Sequence, residues 1–289
     1  MTEAERFNVL VVQPPMFLHY EAYMGSAEII QRGLQRLGYE AGIAKNHLIP
    51  GATNIIVGAH YLDGALLEEL PSESIVYNTE MVVRGSPFIK DLIPFVERFE
   101  TWDYSAANVD GWRALGVSRP VHWLRPGYLP ESTTIDPATP ADIDILFYGF
   151  VNGRRYDILK AMTEGGLNIY IAKNAYGDER NALIARSKIV LNLHSRPDSM
   201  LEFARVSQAL SNHRVLVTEV GNYDEVDADL RDGIAAGTAE ELAGICRALL
   251  ADGARRTALA ERGFELFSRR DFCVSLRDVL AARDAARAG

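Results

Sequence analysis

The chain has 289 residues, of which 48% are hydrophobic and 24% are charged, and its formal net charge is −9. This composition excludes a disordered, collagen-like or disulfide-stapled protein. The acidic balance argues against non-specific binding to nucleic acid or to an anionic membrane, because no run of Lys and Arg offsets it. The length favours two domains with sizeable cores, although a single α/β barrel can reach this size.

The two cysteines and the first residues predict a cytoplasmic location. Cys246 and Cys273 lie far apart in the sequence and form neither a zinc motif nor a disulfide framework. The start MTEAERFNVLVVQPP is acidic before a short apolar run, the reverse of a signal peptide. No segment reaches the roughly 18 continuous apolar residues that cross a bilayer. We therefore expect no membrane span and no nucleic-acid partner.

Short apolar runs alternate with amphipathic segments in the first half of the chain. Such alternation predicts βαβ units and a parallel sheet. Continuous apolar runs predict strands that are buried on both faces, and apolar residues at a spacing of three and four predict helices. The predicted strands are 7–13, 54–60, 74–80 and 121–128, and the predicted helices are 26–37 and 106–115.

The segment YLPESTTIDPATPAD (128–142) has the composition of a linker, with three prolines among polar residues. The alternation then restarts more clearly. The predicted strands are 143–149, 167–172, 188–194 and 214–220, and the predicted helices are 153–164, 178–187, 200–211, 239–251, 254–268 and 273–286.

The predicted fold class is α/β, with two doubly wound, Rossmann-like domains facing across a cleft. We expect a first domain at 1–130 and a second domain at 131–270. The helix in 271–289 is expected to cross back to the first domain. In an open α/β sheet, ligands bind outside the carboxyl ends of the strands, so the polar residues after each apolar run are the candidates for a site.

The segment GFVNGRR (149–155) predicts a site for a diphosphate. Gly149 allows close backbone approach, Asn152 can cap the following helix, and Arg154 and Arg155 add cationic donors at the positive end of that helix. The segment matches neither the P-loop nor the GxGxxG pattern. The alternative is a tight turn between strand and helix with two solvated arginines.

A second candidate cluster is HSRPDSMLEFARVSQALSN (194–212). Ser199 and Glu202 have the spacing of a capping box, and Glu202 and Arg205 that of an i,i+3 ion pair, which would give these side chains a structural role. The start of this helix follows a buried strand, so its N–H groups could also meet an anion. His194, at the end of that strand, is either a structural histidine or a ligand contact.

Candidates for a general base lie in the first half. Glu80 and His60 each end an apolar run, and His19 and Glu21 share the loop after the first strand. Any of these side chains could act as a base if its surroundings brought its pKa toward neutrality.

Two Asp-x-Asp pairs suggest a metal, because hard cations bind paired carboxylates. Asp142 and Asp144 precede their strand, at the wrong end of it for a site, and Asp227 and Asp229 fall in an acidic loop where solvation is the simpler explanation. We therefore expect no metal ligand among them.

Residues 143–220 resemble the donor-binding half of GT-B glycosyltransferases. The likeness lies in the order of the elements: a strand, a glycine-containing turn with Arg, and further strands, one of which ends in His. The segment FARVSQALSNHRVLVTE, which follows them, is also similar. It is closest to the CgeB-like and glycosyl transferase group 1-like family, whose members carry a similar Glu-x-x-Arg-x-Ser segment. VYNTE, WDYSAANVDGWRALGV and LRPGY in 54–128 resemble the other half, and ERGFELFSRR near the C-terminus is similar as well.

The resemblance implies a transferase that takes a sugar from a nucleotide diphosphate sugar in the interdomain cleft, without a cofactor or an essential metal. It leaves the acceptor open, whether a glycan, a protein, a lipid or a small molecule. In this sequence Arg154 or Arg155 would neutralise the diphosphate, with Gly149 and Asn152 in the same turn. On the donor side, the start of the helix at Ser199–Glu202 would face the donor, Asn174 and Tyr176 would lie near the nucleoside base, and His194 and Arg205 would line the same pocket. On the acceptor side, Glu80 would be the catalytic base, with His60 as a second candidate.

One departure from the family bears on the reaction. Many retaining members carry two Glu residues separated by seven positions, the second of which binds ribose. Here Leu210 lies eight positions after Glu202, and Gln208 is nearest to the ribose position. The choice between retention and inversion is therefore open. So are three alternatives: a sugar-nucleotide epimerase or phosphorylase, a non-catalytic partner that binds a nucleotide sugar, and a metal-dependent transferase.

Overall fold

The computed structural model of the chain describes residues 5–15, 20–83, 85–86, 88–197 and 199–288. The chain divides into two compact units, which we call unit 1 (Met1–Pro126 with Asp271–Gly289) and unit 2 (Gly127–Arg270). Each unit contains a parallel sheet with helices packed against it. The predicted α/β fold class with two Rossmann-like sheets is confirmed.

Unit 1 is built on a six-stranded parallel sheet. Its strands are β1 (Arg6–Val11), β2 (Glu40–Lys45), β3 (Thr53–Val57), β4 (Ile75–Asn78), β5 (Glu100–Asp103) and β6 (Val121–Trp123). Its helices up to this point are α1 (Glu21–Arg36), α2 (Ile89–Arg98) and α3 (Ala106–Ala114). The strand order is β2-β1-β3-β4-β5-β6. Every residue of β3 and β4 is buried, as expected for strands that helices cover on both faces.

Unit 2 is built on a five-stranded parallel sheet. Its strands are β7 (Ile143–Tyr148), β8 (Ile169–Ala172), β9 (Ser187–Asn192), β10 (Val215–Glu219) and β11 (Ala235–Gly237). Its helices are α4 (Gly153–Glu164), α5 (Gly177–Ala185), α6 (Phe203–Ser211), α7 (Leu242–Ala251) and α8 (Gly253–Ser268). The strand order is β11-β10-β9-β7-β8.

The sequence predicts the elements of unit 2 better than those of unit 1. In unit 1 it misses β2, α2 and β5, because neither strand contains a run of large apolar residues and α2 carries Pro94 in its interior. The predicted strands 54–60 and 74–80 are also too long. They end at Val57 and Asn78, so His60 and Glu80 lie in the segments that follow the strands.

The last helix, α9 (Phe272–Ala288), belongs to unit 1 and packs against α1. Gly33 of α1 lies at this contact. A Cβ atom added there would come within 2.9 Å of the side chains of Phe272 and Leu276. The absence of a side chain at Gly33 therefore allows the two helices to approach closely.

Gly33→Ala is expected to destabilise unit 1. The added methyl group would overpack the contact between α1 and α9, at a cost of about 1–3 kcal/mol. The gain in helix propensity is only about 1 kcal/mol. Gly244→Ala in α7 is the control, because a Cβ atom there meets nothing within 4 Å and only the gain applies. Chemical denaturation of both variants tests this, and a Gly33→Ala variant as stable as Gly244→Ala would contradict it.

The segment 128–142, predicted as a linker, is packed on unit 2. The hydroxyl of Thr133 donates to the carbonyl oxygen of Ser211 at 2.8 Å. The side-chain oxygen of Asn212 accepts from the N–H of Ile135 at 3.0 Å, and Ile135 itself is buried in the core of unit 2. The polar residues of this segment thus form hydrogen bonds with the end of α6, and the segment is not a free linker.

The chain crosses between the units twice, at 126–127 and at 270–271. The N–H of Tyr128 donates to the carbonyl oxygen of Arg270 at 2.6 Å. The segments that enter and leave unit 2 therefore lie side by side.

Cys246 and Cys273 are both unpaired and buried. Across the described residues, we find no helix that combines the length and the apolar character needed to cross a membrane.

Candidate functional site

In the sheet of unit 2, the order in which the chain adds strands reverses between β7 and β9, which lie side by side. The chain runs from β7 outward to β8 on one side, and from β9 to β10 and β11 on the other. The loops after β7 and β9 therefore diverge at the carboxyl edge, and such a crevice is where ligands bind in open α/β sheets. We call residues 149–152 and, after β9, residues 193–197 and 199–202 the switch-point loops.

Gly149 and Asn152 shape the first of these loops. Gly149 has a φ of 116°, which favours glycine, and a Cβ atom there would lie 3.1 Å from Nη2 of Arg205. Asn152 caps α4, as predicted, and its Oδ1 accepts from the N–H of Arg155 at 2.9 Å. Its Nδ2 donates to the carbonyl oxygen of Ser195 at 2.6 Å. Asn152 thus ties the two switch-point loops together.

Arg155 is a buried side chain that also joins these loops. It is 4% exposed, and its Nε and Nη2 donate to the carbonyl oxygen of Leu193 at 3.0 and 2.7 Å. Its Nη1 donates to Phe150, and its Nη2 forms an ion pair with Glu202. The alternative of a solvated arginine is wrong for Arg155, because the main chain and a carboxylate surround its guanidinium.

Glu202 bridges two guanidinium groups. Besides Arg155, it contacts Arg205, whose Nη1 lies 2.6 Å from Oε2 of Glu202, so the predicted i,i+3 ion pair is confirmed. Burial by itself would raise the pKa of Glu202, but Arg205 and Arg155 outweigh it and hold that pKa below its ordinary value. The predicted capping box is wrong. Glu202 is the N-cap of α6, and the Oγ of Ser199 instead accepts from the N–H of Arg196 at 3.1 Å.

Arg154 is the most accessible of the three guanidinium groups. Its side chain is 27% exposed, compared with 5% for Arg155 and 7% for Arg205. Its two Nη atoms donate to the two carboxylate oxygens of Glu219, and Nη1 also donates to the carbonyl oxygen of His194 at 3.0 Å. Arg154 therefore sits at the edge of the crevice in a bidentate ion pair.

Glu219 is the last residue of β10 and is buried. Besides Arg154, it accepts from the N–H of His194 at 2.9 Å. Burial by itself would raise the pKa of Glu219, but Arg154 and this N–H outweigh it and lower the pKa. Glu219 is therefore ionised at neutral pH.

His194 follows β9 and is 1% exposed. Burial lowers the pKa of His194, so the imidazole is neutral near pH 7. Its Nε2 lies 3.6 Å from Oε2 of Glu225. The hydrogen bonds of His194 with Arg154 and Glu219 are made by its main chain, while its side chain faces Glu225.

Asn174 and Tyr176 lie between β8 and α5. Asn174 is exposed with a φ of 57°, and Tyr176 is half-buried at the N-cap of α5. Because β8 is the neighbour of β7, this loop starts at the same edge of the sheet. The structure thus brings all the predicted donor-side residues to one edge of unit 2, and their roles toward a donor stay predictions.

In unit 1, the structure brings together the two side chains predicted as bases. His60 lies in a short 3-10 helix after β3, and Glu80 follows β4 by two residues. Tyr23 of α1 contacts both, since its hydroxyl donates to Oε1 of Glu80 at 2.9 Å and lies 3.3 Å from Nε2 of His60. Burial, and then the charge of Glu80, raise the pKa of Tyr23 far above its ordinary value, so the hydroxyl keeps its proton.

Glu80 is the more accessible of the two candidates. Its side chain is 18% exposed, compared with 1% for His60. Of the other candidates, His19 lies outside the described residues. Glu21 begins α1, where its carboxylate lies 3.6 Å from Nζ of Lys45. Of His60 and Glu80, only Glu80 therefore has a side chain with appreciable access to solvent.

The main chain around Glu80 is held by a buried network centred on Asp103. Asp103 ends β5 and is fully buried, and burial raises its pKa to about 6. Its carboxylate accepts four N–H donors at distances between 2.7 and 2.9 Å. They come from the side chains of Asn78, Asn108 and Trp112 and from the main chain of Ser105. Asn78 and Asn108 also donate to the carbonyl oxygen of Glu80, at 2.8 and 2.9 Å.

Both Asp-x-Asp pairs are in contact with cationic side chains of unit 2. These contacts are Asp142 with Arg186, Asp144 with Lys188, and Asp227 and Asp229 with Arg270. Within the part of the chain that the structure describes, no group of His, Cys, Asp and Glu is arranged to hold a metal ion.

Comparison with known proteins finds one family model that matches the second half of the chain. Residues 135–275 match the family model described as Glycosyl transferase-like, a range that covers most of unit 2. Most of unit 2 is thus similar to glycosyl transferases, and we refer to unit 2 below as the glycosyl transferase-like domain. No curated relative matches the chain by sequence.

Solved structures match the whole chain at low sequence identity. Sucrose-phosphate synthase from Thermosynechococcus elongatus matches with a TM-score of 0.64 and 9% identity, over 99% of this chain and 100% of that one. Anabaena HepE in complex with UDP matches at 0.55 and 11%, over 97% and 100%. A mutant of T4 phage BGT in complex with UDP-glucose matches at 0.57 and 11%, over 91% and 95%.

These matches establish the GT-B fold for the chain. The predicted likeness to GT-B glycosyltransferases is confirmed. In addition to the predicted residues, these clusters contain three residues that the sequence analysis did not assign: Glu219, Tyr23 and Asp103. Glu219 lies within a predicted strand, and its polar side chain near the end of that apolar run could have indicated a site residue. Tyr23 and Asp103 lie in segments where no element was predicted.

Proposed function

We propose that the chain transfers a sugar from a nucleotide diphosphate sugar to an acceptor, and that the donor binds at the switch-point loops of unit 2. One observation carries this proposal. At the switch point of a glycosyl transferase-like domain, Arg154 offers an accessible guanidinium beside the positive end of α4. Structures of the same fold that hold UDP or UDP-glucose support a nucleotide-sugar donor.

In this proposal the three arginines have different roles. Arg154 contacts the diphosphate, because it is the most accessible of them. Arg155 and Arg205 are buried and hold the switch-point loops through Glu202, so they shape the site without needing to touch the phosphates. His194 and Ser199 line the same edge, and the side chains of Asn174 and Tyr176 lie toward the nucleoside base.

The chemistry follows from where charge develops. As the bond between sugar and diphosphate breaks, negative charge grows on the leaving diphosphate, and a fixed guanidinium stabilises it. The acceptor hydroxyl must lose its proton as it attacks the sugar carbon, and Glu80 accepts that proton. Tyr23, which donates to Glu80, and His60 beside it orient the carboxylate.

We propose that the reaction needs no metal, because the guanidinium and the start of α4 supply the positive charge that a cation would otherwise bring. The test is turnover in EDTA. Loss of activity that Mg²⁺ or Mn²⁺ restores would favour the metal-dependent transferase instead.

Two other functions are distinguished by the fate of a labelled donor. An epimerase or phosphorylase would convert the nucleotide sugar without any acceptor. A non-catalytic partner would bind it tightly, with neither transfer nor hydrolysis across a panel of glycan, protein, lipid and small-molecule acceptors. A cytoplasmic location stays a prediction, in keeping with the two unpaired cysteines.

Arg154→Gln is expected to weaken the binding of a nucleoside diphosphate at least about tenfold, since charge-assisted hydrogen bonds to phosphate are worth about 1.5–3 kcal/mol. Calorimetric titration with UDP, GDP and dTDP measures this. Arg186→Gln is the matched control, because Arg186 also forms a bidentate pair, with Asp142, but at the amino end of β7. If none of the three nucleotides binds, or if Arg154→Gln binds as the unaltered protein does, the proposed donor site is wrong.

A further inference from the structure

We propose that Glu219 is a positioning residue for the donor, which fixes the guanidinium of Arg154 in the orientation that receives the diphosphate. This inference rests on the function proposed above. It adds a carboxylate to a site that binds an anion, which is the opposite of what simple charge matching would select.

The geometry holds Glu219 firmly. It ends β10, which lies between β9 and β11, and it accepts from the N–H of His194 as well as from Arg154. The neighbouring Thr218 is fixed in turn, because its hydroxyl oxygen accepts from the side chain of Asn192 at 2.9 Å. The carboxylate therefore projects from a rigid position of the sheet rather than from a loop.

The contacts set the orientation of Arg154. Two of its N–H groups point at the two oxygens of Glu219, and a third points at the carbonyl oxygen of His194. A guanidinium has five N–H donors in one plane, so these contacts leave the Nε–H and one Nη2–H on the remaining edges of a plane that can no longer rotate. A free arginine side chain would lose rotamer entropy on binding, and here folding has already imposed that cost.

The charge of Glu219 works against the donor. The switch-point cluster contains three guanidinium groups, Arg154, Arg155 and Arg205, and two carboxylates, Glu202 and Glu219. Removing the charge of Glu219 makes the cluster more positive, and Coulomb attraction alone would then tighten binding of a diphosphate. Loss of positioning would weaken binding. The two effects have opposite signs, so one measurement separates them.

The experiment compares Kd values for whichever of UDP, GDP and dTDP binds the unaltered protein most tightly. We expect Glu219→Gln to weaken binding at least about fivefold. Glu219→Asp keeps the charge but shortens the arm, and we expect it to weaken binding as well. Asp142→Asn is the control, because it removes a carboxylate from the bidentate pair at the opposite edge of the sheet, and its Kd should stay within twofold. Unchanged or tighter binding by Glu219→Gln would overturn the proposal.

A double-mutant cycle distinguishes this inference from the proposed function. If Glu219 acts through Arg154, then Glu219→Gln has no further effect on a protein that already carries Arg154→Gln. If Arg154→Gln itself leaves Kd unchanged, the proposed donor site has failed. If Arg154→Gln weakens binding and Glu219→Gln weakens it independently, the donor site stands and the positioning role is wrong. Far-ultraviolet circular dichroism and the unfolding temperature of each variant show whether it is folded.

Discussion

Replacing Asp103 with asparagine is expected to lower the free energy of unfolding of unit 1 by about 3 kcal/mol. The carboxylate of Asp103 accepts four buried N–H donors, two on each oxygen. An amide offers one oxygen and one NH2 group, so two of those donors would face an N–H instead of an acceptor. Each buried donor left without a partner costs about 1–3 kcal/mol.

Denaturation at pH 8 measures this loss, since the pKa of Asp103 is raised to about 6 and the carboxylate is ionised there. Asp110→Asn in α3 is the control, because Asp110 is exposed and forms an ion pair with Arg113, which is exposed as well. A surface change of that kind alters stability by about 0.5 kcal/mol or less. A variant at Asp103 within 1 kcal/mol of the unaltered protein would mean that the donors find other partners.

Glu80→Gln is expected to lower kcat by about 10²–10⁴-fold, the usual contribution of a general base. The amide keeps the hydrogen bond from Tyr23 but cannot take a proton from the acceptor. Affinity for a nucleoside diphosphate should not change, because the proposed donor contacts lie in unit 2. The measurement is the release of nucleoside diphosphate with a supporting acceptor, together with a calorimetric Kd.

Glu40→Gln is the control for this loss. Glu40 is an exposed glutamate of unit 1 that pairs with Arg6, away from His60 and Tyr23. Tyr23→Phe should lower kcat less than Glu80→Gln, since it removes one hydrogen bond that orients the carboxylate. Full activity of Glu80→Gln would remove Glu80 as the base, and it would leave the donor site of unit 2 untouched.

The sequence predicted the second half of the fold well for a physical reason. Strands such as β9 (Ser187–Asn192) and β10 (Val215–Glu219) each contain three consecutive large apolar residues, and helices such as α8 (Gly253–Ser268) repeat apolar residues at helical spacing. In unit 1, β5 consists of the residues ETWD, yet three of the four are buried. It ends at Asp103, whose hydrogen bonds join segments that are distant in the sequence. Such contacts produce no periodic pattern in the sequence.

The candidate site was predicted in position but not in detail. The rule that ligands bind at carboxyl ends of strands located Arg154, Arg155 and His194, and the structure places them at one switch point. It did not indicate which arginine is buried. The burial of each arginine depends on its carboxylate partner. Glu202, at the start of α6, is 47 residues from Arg155 in the chain, and Glu219, at the end of β10, is 65 residues from Arg154. Ion pairs over such separations follow from the fold and not from local spacing.

The hydrogen bond between Tyr128 and Arg270 has a consequence for engineering. Because the two ends of the glycosyl transferase-like domain are adjacent, residues 127–270 form an insertion whose removal leaves neighbouring cut ends. Such a module could be excised, closed by a short loop, or exchanged for the equivalent part of another GT-B protein. Truncation just before α9 would instead damage unit 1, since that helix is the part of the chain that covers Gly33.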